Sequence, residues 1–326
     1  MRQNEIDAIL DQTVDLLDQY VFPEIGVAAG RAVRAAQAAG RYAEGAEPEE
    51  LSQLVTEDLQ SINGDQHLRL QYTADALPLT TGEKADDDAA EYAEAARQAA
   101  REAYGVPKVE LLAGNLGYLE IELLWPPVIA GPAVAAAMTL VAGSDGLVID
   151  LRRCKGGSPH MVAFVCSYLF GVEPIHLNDI YHRVADYTQQ FWTHSYVPGP
   201  RYGTERPVTV LTSGFTFSGG EELAWDLQEH GRATLIGETT RGGAHPVDRI
   251  QLHPHLLATI PIGRSVSPLS GRNWEGTGVQ PDLEVPADQA LDRAVAHLRA
   301  ALGTEAENPL FRDAAGVGCP GRIQGA

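Results

Sequence analysis

Apolar residues near the start of the chain, Ile6, Ile9, Leu10, Val14, Leu17 and Val21, recur at helical spacing, and an Ala-rich segment carries the pattern past Pro23 to about Ala43. A second helix is predicted from about Pro48, with acidic residues in its first turn and Leu51, Leu54, Val55, Leu59 and Ile62 on one face. The turn NGDQH then leads into the alternating LRLQY, which places His67 where a helix hands over to a strand. From Thr73 to Gly105 the chain is polar and Ala-rich, and reads as a solvated helix or a linker between two parts. Strand patterns begin at Val109 with VELLAG and NLGYLEIEL, followed by an Ala-rich helix from about Gly131 to Ala142. The run Leu147–Leu151 is apolar apart from Asp150, as expected of a strand covered on both faces, and Gly156 and Gly157 separate it from another helix. Strand, helix, strand, glycine turn, helix predicts a partly parallel sheet. Edge strands follow between Pro174 and Arg206, then a hairpin in RIQLHPHLLATIPIGRSVSP, and a helix from Asp288 to Ala301. The predicted organisation is a helical N-terminal subdomain over residues 1–105 with a strand carrying His67, a core over 106–303, and a poorly ordered tail over 304–326.

With 326 residues, 44% of them hydrophobic, the chain can bury a large core. Its net charge of −20 would repel a phosphate backbone or an anionic membrane surface, so neither nucleic acid nor membrane is an expected partner. A membrane-spanning helix is not expected, and the N-terminus lacks the order of a signal peptide. Cys154, Cys166 and Cys319 have no metal-ligand spacing and favour a reducing, cytoplasmic setting. His253 and His255 lack an acidic partner at ligand spacing, and neither a metal nor any other cofactor is expected. Self-association into a homo-oligomer is compatible with the composition.

The stretch from Val208 to Pro246 contains the candidate chemistry. An apolar strand breaks at Ser218, Gly219 and Gly220, a helix follows, and a second strand ends in a Gly-rich loop. A serine at a helix start has amide N–H groups and the positive end of the helix dipole beside it, which suits a nucleophile and also suits a simple N-cap.

The pieces DLRRCKGGSP, TFSGGEE, GETTRGGAHP and NWEGTGVQPD, in this order, resemble the tail-specific (C-terminal processing) serine peptidase superfamily. The branch is similar to bacterial relatives of interphotoreceptor retinoid-binding protein modules and to the tricorn protease core. The resemblance implies an α/β fold whose core over 106–303 is a crotonase-like spiral of mixed strands and helices, as in ClpP and tail-specific proteases, with a helical N-terminal subdomain. No region of PDZ length lies between the helical part and Val109. It also implies Ser218 as nucleophile. The lysine of the family's GEKT motif is replaced by Thr239, so a serine–lysine dyad is absent. The tricorn-like branch instead implies His67 as general base and Glu275 as its orienter, although Gln66 stands where that branch has a relay serine. An imidazole near its ordinary pKa suits proton transfer from a hydroxyl. The oxyanion hole would use the amide of Gly219 together with Gly156 or Gly157, and His245 is an alternative base or a substrate contact.

Three functions follow as expectations. The first is a serine hydrolase, most simply a peptidase, acting on a peptide or small-molecule substrate. The second is recruitment of the fold to another small-molecule reaction, motivated by the lost lysine and missing PDZ domain. The third is a non-enzymatic carrier of a retinoid or fatty acid, with Phe215, Phe217, Trp225 and Trp274 lining a cleft.

Overall fold

A computed structural model describes residues 1–77 and 84–303, the side chains of 84–91 left aside. The N-terminal apolar stripe forms two helices, Gln3–Leu16 (α1) and Pro23–Ala38 (α2), because Pro23 suits the first turn of a new helix and cannot sit inside a continuing one. Helix α3 (Pro48–Gln60) follows, then the turn carrying His67 and the strand β1 (Arg69–Tyr72). Lys84–Arg101 is helical (α4), in agreement with the solvated-helix reading of that segment. The expected tail and Cys319 lie outside the described residues.

The core begins with β2 (Lys108–Leu112) and β3 (Leu116–Glu120). Helix α5 runs from Pro127 to Val141, starting earlier than its Ala-rich segment suggests because Pro127 occupies the first turn, where no N–H is required. Then come β4 (Gly146–Asp150), α6 (Pro159–Leu169), β5 (His176–His182), β6 (Tyr187–Trp192), β7 (Val208–Thr212), α7 (Gly219–Glu229) and β8 (Thr234–Gly237). The chain closes with β9 (Val247–His253), β10 (Leu256–Pro261), β11 (Gly263–Val266), β12 (Leu283–Glu284) and α8 (Ala290–Ala301).

A six-stranded sheet has the order β12-β8-β7-β4-β3-β2, parallel except for the β2–β3 pair. Every residue of β4 and β7 is buried, which explains why Val, Leu and Ile predominate in them, and each so covered contributes about 1.5–3 kcal/mol. Asp150 is tolerated in β4 because the Tyr118 hydroxyl donates to it at 2.7 Å and Arg152 Nη2 at 2.6 Å. Burial would raise its pKa, but these bonds outweigh it and hold the carboxyl below its ordinary value.

A second sheet, β1-β10-β9, joins the beginning of the chain to its C-terminal third. Its faces differ. Leu68, Leu70, Leu256, Ala258 and Ile260 pack with the helices α1–α3 in one apolar core. The alternate positions face the other way, into a cavity of about 820 Å³ that the turn after β7 also borders. The strands β11, β5 and β6 make a third sheet. No described helix is long and apolar enough to cross a membrane.

Candidate active site

Strand β7 delivers the chain to the site in a turn stapled onto the end of β4. Ser213 Oγ donates to the Arg152 carbonyl at 2.6 Å, Thr216 Oγ1 to the Leu151 carbonyl at 2.8 Å, and the Phe217 amide to the Cys154 carbonyl at 3.1 Å. Ser218 then sits at φ 53°, ψ −125°, a conformation a side chain rarely adopts, immediately before α7. Two turns cross here at contact distance. A Cβ on Gly156 would lie 2.7 Å from Ser218 Cβ, and one on Gly220 would lie 2.8 Å from the Cys154 sulfur. Glycine is required at both places for room, and at Gly156 also for its φ of +108°.

Among the described residues, the amides of Gly157 and Gly219 have no hydrogen-bond acceptor, and both residues line the cavity. The Gly156 amide is directed instead at the Cys154 thiol, and its carbonyl accepts from Leu124. That leaves Gly157, rather than Gly156, with a free donor beside Gly219.

Glu221, absent from the sequence-based candidates, fixes this half of the site. Its Oε2 accepts the Ser218 amide at 2.8 Å and the Gly243 amide at 2.9 Å, while Oε1 accepts the Thr240 hydroxyl and the Gly242 amide, both at 2.6 Å. Burial pushes its carboxyl up to about 7, with the hydroxyl and the three amides pulling the other way. One side chain thus ties the serine turn to the GETTRGG loop. The signal available in the sequence was Glu three residues after a helix-capping serine.

His67 is 5% exposed, and its ring stacks on Phe217 with centroids 4.4 Å apart. Asp65 Oδ1 accepts its backbone amide at 2.9 Å. Burial pushes the imidazole down to about 3, against the attraction of Asp65 and with help from Arg69, His245 and Arg249, so it is neutral at pH 7. Among the described residues its Nδ1 has no partner. Among the described residues neither His67 nor His245 is hydrogen-bonded to the Ser218 hydroxyl, although all three residues line the same cavity.

Glu275 does not reach His67. Its Oε2 accepts the Ala244 amide at 2.6 Å and lies 3.5 Å from His245 Nδ1. Gln66, at the relay position, turns outward and hydrogen-bonds with Arg241 in both directions. The acid–imidazole pair with close geometry is another one: His245 Nδ1 meets Asp65 Oδ2 at 2.7 Å, and Tyr20 donates to the same oxygen at 2.8 Å. Burial opposes ionisation of Asp65, but its bonds to His245, Tyr20 and the His67 amide hold its pKa below the ordinary value. Glu275 is raised by burial, with His245 opposing. Asp65, His245 and Glu275 offer ligand atoms within 4.8 Å of one another, enough for a cation, yet in the arrangement seen the imidazole and carboxylates satisfy each other. The pairing of His245 with Asp65 was not legible locally, because the two are 180 residues apart.

Thr239, at the expected lysine position, is half-buried, and its methyl group lies near Gly278. Of the four aromatic residues flagged from the sequence, Phe217 and Trp274 line the cavity, Trp225 packs against Trp274, and Phe215 is exposed.

Residues 115–285 match the model of peptidase family S41. The chain belongs to peptidase family S41. Residues 2–104 match the N-terminal domain that accompanies this family in eukaryotic IRBP. Among curated relatives, the carboxyl-terminal-processing protease of Picosynechococcus sp. is 28% identical over 146 residues, covering 45% of this chain and 33% of the relative. That of Synechocystis sp. is 32% identical over 100 residues, covering 31% and 22%. This S41 chain therefore spans about a third or less of the curated relatives it matches. The tricorn protease has a similar structure, with a TM-score of 0.56 at 12% identity over 91% of this chain and 37% of the other. The photosystem II D1 C-terminal processing protease gives 0.51 at 15% identity, over 88% and 94%. At such identities these structures share the S41 fold. Among the described residues no PDZ domain interrupts it.

Proposed function

We propose that this chain is a serine peptidase that cleaves peptide bonds through an acyl-enzyme on Ser218. The observation that carries this reading is the strained strand-to-helix turn at Ser218, flanked by the two unengaged amides of Gly157 and Gly219, in one cavity with His67. His67 takes the hydroxyl proton as Ser218 Oγ adds to the substrate carbonyl, and the two amides stabilise the resulting oxyanion. The imidazolium then gives its proton to the departing amine. Water attacks the ester by the same route, returning the proton to Ser218. Asp65, beside the His67 backbone, favours the transient positive charge, and His245 and Glu275 act as positioning residues around it.

An apolar-ligand carrier is less well supported, because polar and charged side chains make up much of the cavity wall. The two described cysteines, Cys154 and Cys166, are free and buried, in keeping with a cytoplasmic setting.

A fluorophosphonate probe is expected to label the wild-type chain and leave Ser218→Ala unlabelled. Absence of label on the wild type, or equal labelling of both, refutes Ser218 as nucleophile. Labelling without cleavage of any peptide in a casein digest would move the reading to a small-molecule reaction at the same serine.

A further inference from the structure

The sheet β1-β10-β9 carries a row of charge that the proposed chemistry does not use. Arg69 on β1 pairs in register with Thr259 on β10, and Thr259 with Arg249 on β9, so the three stand side by side on one face. All three line the cavity that holds Ser218. Directly opposed residues on neighbouring strands lie about 5 Å apart, which puts the two arginines about 10 Å apart at the backbone, within reach of a shared ligand for side chains of that length.

Neither guanidinium has an acidic partner among the described residues. Among the described residues no ion pair or side-chain hydrogen bond involves Arg69 or Arg249, and Arg69 Nε, Thr259 Oγ1 and the neighbouring Gln71 Oε1 are buried without partners. The acids in the same cavity are otherwise engaged: Glu122 pairs with Arg153 at 2.7 Å, Glu102 accepts from Gln98 at 3.0 Å, and Glu222 accepts from Asn178 at 3.1 Å. Burial, then the like charges of Arg249 and Arg241, depress the Arg69 pKa, and no carboxylate acts in the other direction. A chain with a net charge of −20 has ample acid to neutralise two arginines, yet leaves this pair unmatched. Paired guanidiniums with free donors suit a carboxylate, which accepts two parallel N–H bonds from each arginine fork.

We propose that Arg69 and Arg249, with Thr259 between them, form a subsite for a substrate carboxylate, so that the peptide cleaved at Ser218 is one that places a carboxylate group there. The assignment of substrate class rests on the peptidase reading, whereas the anion site itself does not. The carboxylate comes from an acidic side chain or from a chain terminus, and binding measurements separate these sources.

The test uses the full chain carrying Ser218→Ala, so that binding is read without turnover. Three alanine–glycine decapeptides carrying an uncharged BODIPY dye on a blocked N-terminus are compared by anisotropy: a neutral amide, the same sequence with a free C-terminal carboxylate, and the amide with one central glutamate. At least one acidic peptide is expected to bind tenfold or more tightly than the neutral amide. That preference should fall at least fivefold in Arg249→Gln, an exposed position where misfolding is not at issue, and disappear in Arg69→Gln/Arg249→Gln. Preference for the free terminus identifies an end-binding site, and preference for the glutamate peptide a side-chain site. Equal binding of all three peptides, including no binding by any at millimolar concentration, overturns the proposal, as does a preference that survives both substitutions. Fluorophosphonate labelling of the wild type is read separately. A labelled serine without acidic preference refutes the subsite alone, and an acidic preference without labelling refutes the peptidase reading alone.

Discussion

The two walls of the cavity are built on opposite principles. On the serine wall, the buried acceptor that matters is saturated: Glu221 takes four hydrogen bonds, three from backbone amides, and the free donors are the two amides beside Ser218. On the histidine wall, His67 Nδ1, Arg69 Nε, Gln71 Oε1 and Thr259 Oγ1 are buried and unpartnered. A saturated wall holds its geometry before substrate arrives, which is what transition-state stabilisation needs. An unsaturated wall gains its bonds on binding, which is what selectivity needs, since an analogue lacking the matching group leaves buried polar atoms unpaired.

The hardest test of this contrast removes the acceptor. Glu221→Ala would strand the Ser218, Gly242 and Gly243 amides and the Thr240 hydroxyl; at roughly 1–3 kcal/mol for each buried orphan, the loss should be on the order of 5 kcal/mol. Urea unfolding measures it. A loss under about 1 kcal/mol would mean that the serine wall is not held by Glu221.

The walls should also titrate with opposite signs. Glu222 on α7 is pushed by burial from 4.5 up to about 7, so the folded chain keeps a proton there that the unfolded chain releases. Its stabilising share is complete below pH 4.5 and declines as pH rises to 7, by on the order of 3 kcal/mol. Asp226, one turn later, has both oxygens unpartnered and is raised by burial and by Glu222, which adds in the same direction. His67, pushed from 6.5 down to about 3, stays neutral in the fold while the unfolded chain takes up a proton. Its share is therefore complete above pH 6.5 and is lost as pH falls towards 3. Urea midpoints across pH 3–8 for wild type, Glu222→Gln and His67→Gln should give difference curves that slope oppositely, and parallel curves would break the comparison.

Where the walls touch, the room is measured in tenths of an ångström. A Cβ on Gly243 would stand 2.6 Å from His67 Cε1 and from Phe217 Cζ. Gly243→Ala should cost about 1–3 kcal/mol by overpacking and reduce peptide hydrolysis about a hundredfold by displacing the imidazole. Unchanged hydrolysis would show that His67 need not sit where it does.

The same division governs what could be read from the sequence. The serine turn is local: strand, small residues, serine, two glycines and a helix lie within about a dozen positions, so a strand-to-helix turn at Ser218 is readable from the pattern. The nucleophile role expected of Ser218 comes instead from the family resemblance, and the crossing of Gly156 with Ser218 joins positions about 60 residues apart. The histidine wall is assembled across the chain. Arg69 meets Arg249 only through the register of β10, and Asp65 meets His245 only because β1 joins a sheet from the other end of the sequence. His67 could be singled out from its motif, but not its unpartnered Nδ1, nor the turning of Glu275 towards Ala244 and His245. The fold itself was more legible, since β4 and β7 are short, mostly apolar stretches followed by glycine-containing turns and helices, the pattern of strands buried on both faces of a parallel sheet.

The smallest expected effect isolates strain on the serine wall from everything else. At φ 53°, ψ −125° a residue with a Cβ is held at a cost of about 1–3 kcal/mol, and glycine is not. Glycine at this place loses about 0.5–1 kcal/mol through the greater freedom of its unfolded chain. Ser218→Gly should therefore be about 1 kcal/mol more stable than wild type, whereas Ser218→Ala, which keeps the Cβ, should differ little from it. Both remove the hydroxyl and should abolish fluorophosphonate labelling alike, so the two variants share the loss of function and part only in thermal stability. If the Ser218→Gly and Ser218→Ala chains melt together, the turn stores no strain, and the serine wall owes its fixed geometry to its hydrogen bonds, those of Glu221 together with those of Ser213, Thr216 and Phe217.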